Sequence, residues 1–285
     1  MQLNAFFPSI DIGTDPVKIR DWAQAAEDLG FATIEVPDHV FGAKARDGWT
    51  PLYDEKSPFH ETFVTLGFLA AATRTIRLSS GILIAPQRQT GIIAKQAAEA
   101  DILSGGRLRL GVGVGWNHVE YEALGEDWKT RGARLSEQVT LLRRLWTEDL
   151  VSFSGRFHNL KDVNVVPHPV QRPIPIWFGG SSDAAATRAA RLGDGWMPIM
   201  APDAQAERAV AALRQQLTSF GRDAARFGLE AWLRMHDPDP QAWAAAADAW
   251  RKLGADMVML YPMYRIKGVD DHIAMLRRFK EVAGG

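Results

Sequence analysis

Short apolar runs alternate with longer amphipathic ones along the whole chain, and that rhythm limits the fold more than any other feature of the sequence. Leu3 to Phe7 reads as a strand and Asp15 to Leu29 as a helix, with Thr14 as N-cap, Pro16 in the first turn and Gly30 as the stop. Strands at Ile34 to Pro37, Ile76 to Ile84 and Leu108 to Val112 are followed by helices at His60 to Thr73, Gly91 to Leu103 and Arg131 to Trp146. The rhythm then pauses. Val151 to Pro173 holds two short strand-like pieces around Ser154-Gly155 and a proline-containing stretch, which together read as a hairpin and linker. It resumes with strands at Ile174 to Phe178, Gly195 to Ile199, Leu229 to Met235 and Met257 to Tyr261. Their helices run from Asp183 to Leu192, Asp203 to Phe220, Pro240 to Leu253 and Val269 to Val282. The alanine-rich "AWAAAADAW" within this set reads only as a good helix former. Because the period is the same on both sides of the pause, residues 1–285 are read as a single domain. Eight strand–helix units in 285 residues predict an α/β fold, a closed (β/α)8 TIM barrel with a short hairpin insertion around residues 150–173. A doubly wound sheet is the runner-up, but it has no need of eight evenly spaced units.

Composition narrows the function. The formal charge of −1 gives no support for a nucleic-acid partner. The absence of cysteine excludes disulfides, thiolate nucleophiles and Cys-ligated metals. The opening "MQLNAFFPSIDIG" has no basic stretch followed by a long apolar one, and no run of about 18 apolar residues occurs, so neither a signal peptide nor a membrane span is expected and cytoplasmic residence is the default. The histidines lack metal spacing and G-x-S-x-G is missing, so no metal and no serine-hydrolase chemistry are predicted.

In a (β/α)8 barrel the chemistry sits at the C-terminal ends of the strands. Here those ends gather glycine, aromatic residues and a few polar groups. "FGGSSDAAATRAA" is the clearest phosphate signal: Gly179 and Gly180 permit a tight turn, the serines can cap a helix or bond an oxyanion, and the first helical N–H groups point the same way. A plain capped turn is the competing reading. "GVGVGW" (Gly111 to Trp116) only partly matches G-x-G-x-x-G and lacks the later acidic residue, so a Rossmann site is not predicted. Its glycines either let backbone approach a flat ring or serve tight packing at the barrel rim. Asp38-His39 could supply a proton donor or base, or be structural.

Three stretches resemble the luciferase-like monooxygenase superfamily of flavin barrels: "AAEDLGFATIEVPDHVF", "LSGGRLRLGVGVGWNHVEYEALG" and "PIPIWFGGSSDAAATRAARLGDGWMP". The Asp-His pair and the glycine loop are most similar to the branch that uses the deazaflavin coenzyme F420, with the FMN branch close beside it. The resemblance implies a non-prolyl cis peptide at Gly81–Ile82, with Gly81, Ile82 and Ile84 facing the cofactor ring. It implies Gly113, Val114, Gly115 and Trp116 along the ring's edge, and Gly179, Gly180 and Ser181 on the phosphate. It also implies Asp38 and His39 near the reactive carbon. F420-dependent sugar-phosphate dehydrogenases carry a glutamate after the glycine loop; here that position is Trp116, and Glu120 is the nearest substitute. Without cysteine, the reactive thiol of luciferase and the full polar set of alkanesulfonate monooxygenases are absent. The expected activity is hydride transfer between F420 and a small organic substrate by a homodimer. The alternatives are a two-component FMN monooxygenase served by a flavin reductase, and a non-catalytic flavin-binding relative. Phe7, Phe41, Trp49, Trp116 and Trp196 are the expected aromatic lining of the substrate pocket.

Overall fold

The structure is a computed structural model that describes residues 1–235, 238–262 and 266–284. In chain order its elements are β1 (Gln2–Phe6), α1 (Pro16–Asp28), β2 (Thr33–Val36), α2 (Thr62–Ala72), β3 (Arg77–Ser80), β4 (Leu83–Ile84), α3 (Thr90–Ser104), β5 (Leu108–Gly113), α4 (His118–Ala123), α5 (Arg131–Thr147), β6 (Val151–Ser154), β7 (Asn159–Val163), β8 (Ile176–Gly179), α6 (Asp183–Leu192), β9 (Gly195–Met197), α7 (Ala204–Ser219), β10 (Gly228–Arg234), α8 (Pro240–Lys252), β11 (Met257–Tyr261) and α9 (Val269–Ala283). The barrel strands pair in parallel in the order β3-β2-β1-β11-β10-β9-β8-β5-β4, and β3 also pairs with β5, which closes the cylinder. Counting β3 and β4 as halves of one stave, this is the eight-stave (β/α)8 barrel that the rhythm predicts. The antiparallel β6–β7 pair stands apart as the insertion.

Two local details differ from expectation. The N-cap of α1 is Asp15, not Thr14: its carboxylate accepts from the Val17 amide at 2.9 Å. The third strand is not continuous from Ile76 to Ile84. It breaks at Gly81–Ile82, which is a cis peptide, and resumes as β4.

Most of the apolar core lies between strands and helices, where Trp22, Trp146 and Trp250 are fully buried. The barrel interior is different. Trp177 fills its middle, with room made by two glycines: a Cβ at Gly195 or Gly228 would lie 2.3 or 2.1 Å from the indole. The Arg109 guanidinium sits over that ring, 4.4 Å from its centroid. Arg109 is also 2.9 Å from Glu35 and 2.7 Å from Glu230, and Asn4 donates to both carboxylates. Burial and the neighbouring Glu230 charge push Glu35 well above the usual carboxylate range. Glu230 pays the same burial penalty, but the arginine holds it low. One buried cation thus serves two carboxyl groups whose proton affinities are driven apart.

Candidate active site

The C-terminal rim carries two chambers that meet. The inner one has a volume of about 170 Å³ and is lined by the Gly81–Ile82 turn, Asp38, His39, Trp116 and the aromatic rings of Phe6, Tyr53, Trp232 and Tyr261. The outer one is about 480 Å³ and runs past Gly113, Val114 and Gly115 to Gly179, Gly180 and Ser182. Ile82, Gly115, Trp116 and Ile199 line both. An elongated ligand spanning the two therefore passes over Ile82.

The glycine loop is explained residue by residue. A Cβ on Gly111 would lie 2.1 Å from the Ser80 carbonyl oxygen, so its absence lets the backbone before the turn press against β5. The same Ser80 donates its hydroxyl to the Gly111 carbonyl at 2.7 Å. A Cβ on Gly113 or Gly179 would strike the Ile82 side chain at 2.5 or 2.7 Å. Gly115 has a φ of +67° and gives way to Ile84. These glycines thus seat Ile82 and Ile84 against β5, and Gly113 and Gly115 of the loop, with Gly179 at the end of β8, still line the outer chamber.

Asp38 and His39 follow β2 but do different work. The Asp38 carboxylate is buried and engaged on every side: it accepts from the Ile84 amide at 2.8 Å, from Thr62 at 2.9 Å and from Arg88 at 2.6 Å. It anchors the backbone just after the cis peptide. His39 lines the inner chamber, and its Nδ1 is 3.1 Å from Glu120. Tyr53, Phe59 and Trp116 pack on the imidazole with ring centroids 5.2, 4.8 and 5.5 Å away.

Glu120 is not at the chamber wall where a substitute for the missing glutamate was expected. It lies behind His39, 1% exposed, on the short helix α4, whose N-cap Asn117 accepts from the Val119 and Glu120 amides. Its carboxylate also accepts from the Val40 and Phe41 amides and from Gln87. Burial opposes its charge, but the hydrogen bond and charge of His39, with these other donors, hold it below the usual carboxylate range.

At the far end, Ser181 and Ser182 divide their roles. The Ser181 hydroxyl is tied to Ile199, donating to its carbonyl and accepting from its amide, each at 2.9 Å. Ser182 caps α6 and is the serine that lines the outer chamber. Lys129, Arg131 and Arg188 stand around the same end. Gly132 makes the space for Arg188, whose guanidinium would lie 2.7 Å from a Cβ there. Arg188 lies within the "FGGSSDAAATRAA" stretch but past the turn that marked it, and Lys129 and Arg131 escaped the sequence reading because they lie on a loop and the start of α5, which carry no motif.

The aromatic lining also shifts. Phe6, not Phe7, faces the inner chamber; Phe7 packs on Trp22 and His60 outside the barrel, as strand alternation demands. Trp196 is fully buried and donates to the Gly180 carbonyl at 2.8 Å, while Phe41 is 47% exposed. Trp49 stacks on Trp116 at 6.3 Å. Among the described residues, no cluster of His, Asp or Glu could hold a metal ion, and no helix is long and apolar enough to cross a membrane.

The profile of one family, luciferase-like monooxygenase, matches residues 3–280. The chain belongs to that family. This luciferase-like chain is 32% identical over 218 residues to an F420-dependent glucose-6-phosphate dehydrogenase of Kineococcus radiotolerans, a match covering 73% of the chain and 60% of that relative. It is 33% identical over 204 residues to an FMNH(2)-dependent dimethylsulfone monooxygenase of Pseudomonas putida, covering 70% and 55%. The match therefore spans less than two thirds of each of these relatives. Among solved structures, an F420-dependent secondary alcohol dehydrogenase in complex with an F420–acetone adduct superposes with a TM-score of 0.80 over 99% of this chain and 97% of that one, at 19% identity. That likeness confirms the fold of this luciferase-like oxidoreductase.

Proposed function

We propose that the chain is an F420-dependent oxidoreductase that moves a hydride between the deazaflavin and a small organic substrate. The observation that carries this reading is the outer chamber's cationic end. Lys129, Arg131 and Arg188 line the same chamber as the Gly179–Gly180 turn and the first residues of α6. One phosphate would occupy one such cation and the helix N-terminus; a tail that adds several carboxylates to a phosphate suits all three. Gly81, Ile82 and Ile84 would support the ring, with Gly113, Val114, Gly115 and Trp116 beside it and Gly179, Gly180 and Ser182 at the phosphate. The cofactor, when bound, supplies the hydride acceptor or donor.

The chain's own residues manage position and the proton. Glu120 fixes the His39 ring through Nδ1 and so leaves Nε2 to take a hydroxyl proton in substrate oxidation or to return one in reduction. Asp38 holds the Ile84 amide and thereby the turn under the ring. Tyr53 in the chamber wall and Trp49 behind it pack on Trp116, an aromatic cover that would limit water there.

That cover also favours a second reading, an FMN monooxygenase with a reductase partner, since reduced-flavin chemistry with oxygen needs a closed site. Titration of the purified protein with F420 and with FMN, each followed by fluorescence, separates the two. Binding of F420 at least tenfold tighter than FMN is expected. Tighter FMN binding, with oxygen consumption on adding reduced FMN and substrate, would replace the first reading by the second. Binding of either without turnover of any alcohol, enone or sulfone would leave a flavin-binding relative.

A further inference from the structure

A third cavity, about 340 Å³, lies beside the inner chamber and has none of the site's glycines in its lining. Its walls are Met200, Leu233 and Leu260 from the barrel rim and Ala242, Trp243 and Ala246 from α8. Ala242 and Ala246 are four apart on one helix face, and their small side chains leave the cavity open. The alanine run therefore does more than favour a helix. Ile199 and Arg234 line both this cavity and the inner chamber, so the two adjoin there.

Arg234 is the charged side chain among the described residues lining the cavity. It is exposed at the end of β10, next to Tyr261 across the β10–β11 ladder. Three other arginines near the site are ion-paired: Arg88 with Asp38 and Glu61, Arg109 with Glu35 and Glu230, Arg46 with Glu122. Arg234 makes no ion pair among the described residues. A guanidinium without an ion pair among the described residues, on the border between an apolar cavity and a reaction chamber, selects for an oxyanion at that point.

We propose that the substrate is an amphipathic anion. Its carboxylate or phosphate pairs with Arg234, a hydrocarbon part enters the α8 cavity, and the reacting carbon stays in the inner chamber beside His39. This rests on the proposed hydride-transfer function for the location of the chemistry, but its binding test does not.

The test is calorimetric titration of the wild-type protein with butanoate, hexanoate, octanoate and decanoate, then with decyl phosphate, 1-decanol and decyltrimethylammonium. Affinity should rise about two- to fourfold per methylene. Decanoate or decyl phosphate should bind at least tenfold tighter than 1-decanol, and the tighter of the two names the anion. Decyltrimethylammonium should not bind. Arg234→Gln should abolish the preference for the anion, Arg234→Lys should restore part of it, and Ala246→Leu should weaken decanoate but not butanoate. Unchanged thermal melting and far-UV circular dichroism verify that each variant folds. Equal binding of decanol and both anions, or decanoate binding unaffected by Arg234→Gln, overturns the proposal, as does affinity independent of chain length. If neither F420 nor FMN binds while decanoate still binds through Arg234, the redox reading fails and this one stands. If a cofactor binds and neither long-chain anion does, the reverse holds.

Discussion

At the scale of single residues, the glycines of "GVGVGW" offer the sharpest test, because each is there for a different neighbour. Gly111 faces the Ser80 carbonyl, which is backbone and cannot rotate away, whereas Gly113 faces the end of a flexible isoleucine. Gly111→Ala should therefore cost about 1–3 kcal/mol by overpacking, and Gly113→Ala less, as measured by urea denaturation. Equal costs would mean that the Ser80–Gly111 approach is not what the first glycine serves. His39 and Glu120 form the second test. His39→Ala should lower kcat by on the order of 10²–10⁴-fold, and Glu120→Gln by less, since it disturbs the ring's orientation without removing it. Glu120 also leaves a mark on stability. Its folded value lies below the ordinary 4.5, so its ionised form stabilises the fold above that value and the contribution is lost as pH falls through the folded value. Wild type should lose stability below about pH 4.5 more steeply than Glu120→Gln. Asp38 and His39 stood out in the sequence because they are adjacent at a strand end. The link from His39 to Glu120 did not, since 81 residues separate them and only the barrel brings them together.

At the scale of elements, the rhythm marked every strand of the barrel, but it missed the break in the third strand and the helix α4. "IRLSSGILI" is apolar on both sides of Gly81, so nothing in its pattern marks the interruption; that came only from the family resemblance. Helix α4 has six residues, too few for a period to emerge, although its Asn117 cap and the following Glu120 are a legible start signal. The hairpin insertion was legible from its turn residues, and its attachment can be tested. Glu137 on α5 accepts from the Arg156, Phe157 and His158 amides, and His158 reaches on to Thr90 at the start of α3. Glu137→Ala should cost about 1–3 kcal/mol, because several amides lose their acceptor at once. Cofactor titration should be unchanged, since no hairpin residue lines a chamber. A loss of cofactor affinity would show that the insertion supports the site.

At the scale of the whole molecule, the barrel interior and its outer surface each break a common pattern. The interior holds Arg109 between two glutamates, an arrangement that depends on the cation. Arg109→Met should destabilise by about 3–5 kcal/mol, while Glu35→Gln, which replaces the carboxyl group whose charge burial and Glu230 already disfavour, should cost far less. The outer surface breaks the pattern at α2. A helix on a barrel's outside usually alternates an apolar inner stripe with a charged outer one. The sequence of α2, TFVTLGFLAAA, has no charge at all, and its outward residues include Val64 at 73% and Phe68 at 39% exposure. The adjoining helix α3 adds Ile92 at 53% and Leu103 at 57%. Such a surface costs free energy in water, and a second copy of the same chain about a twofold axis would cover the uncharged α2 face, with Lys95 and Glu99 of α3 between Ile92 and Leu103 at its border. The homodimer expected from the sequence should therefore form through α2 and α3. Sedimentation equilibrium should show a dimer at micromolar concentration, and the double substitution Val64→Glu, Phe68→Glu should give a folded monomer. A wild-type monomer, or a dimer indifferent to both charges, would assign the stripe to something else.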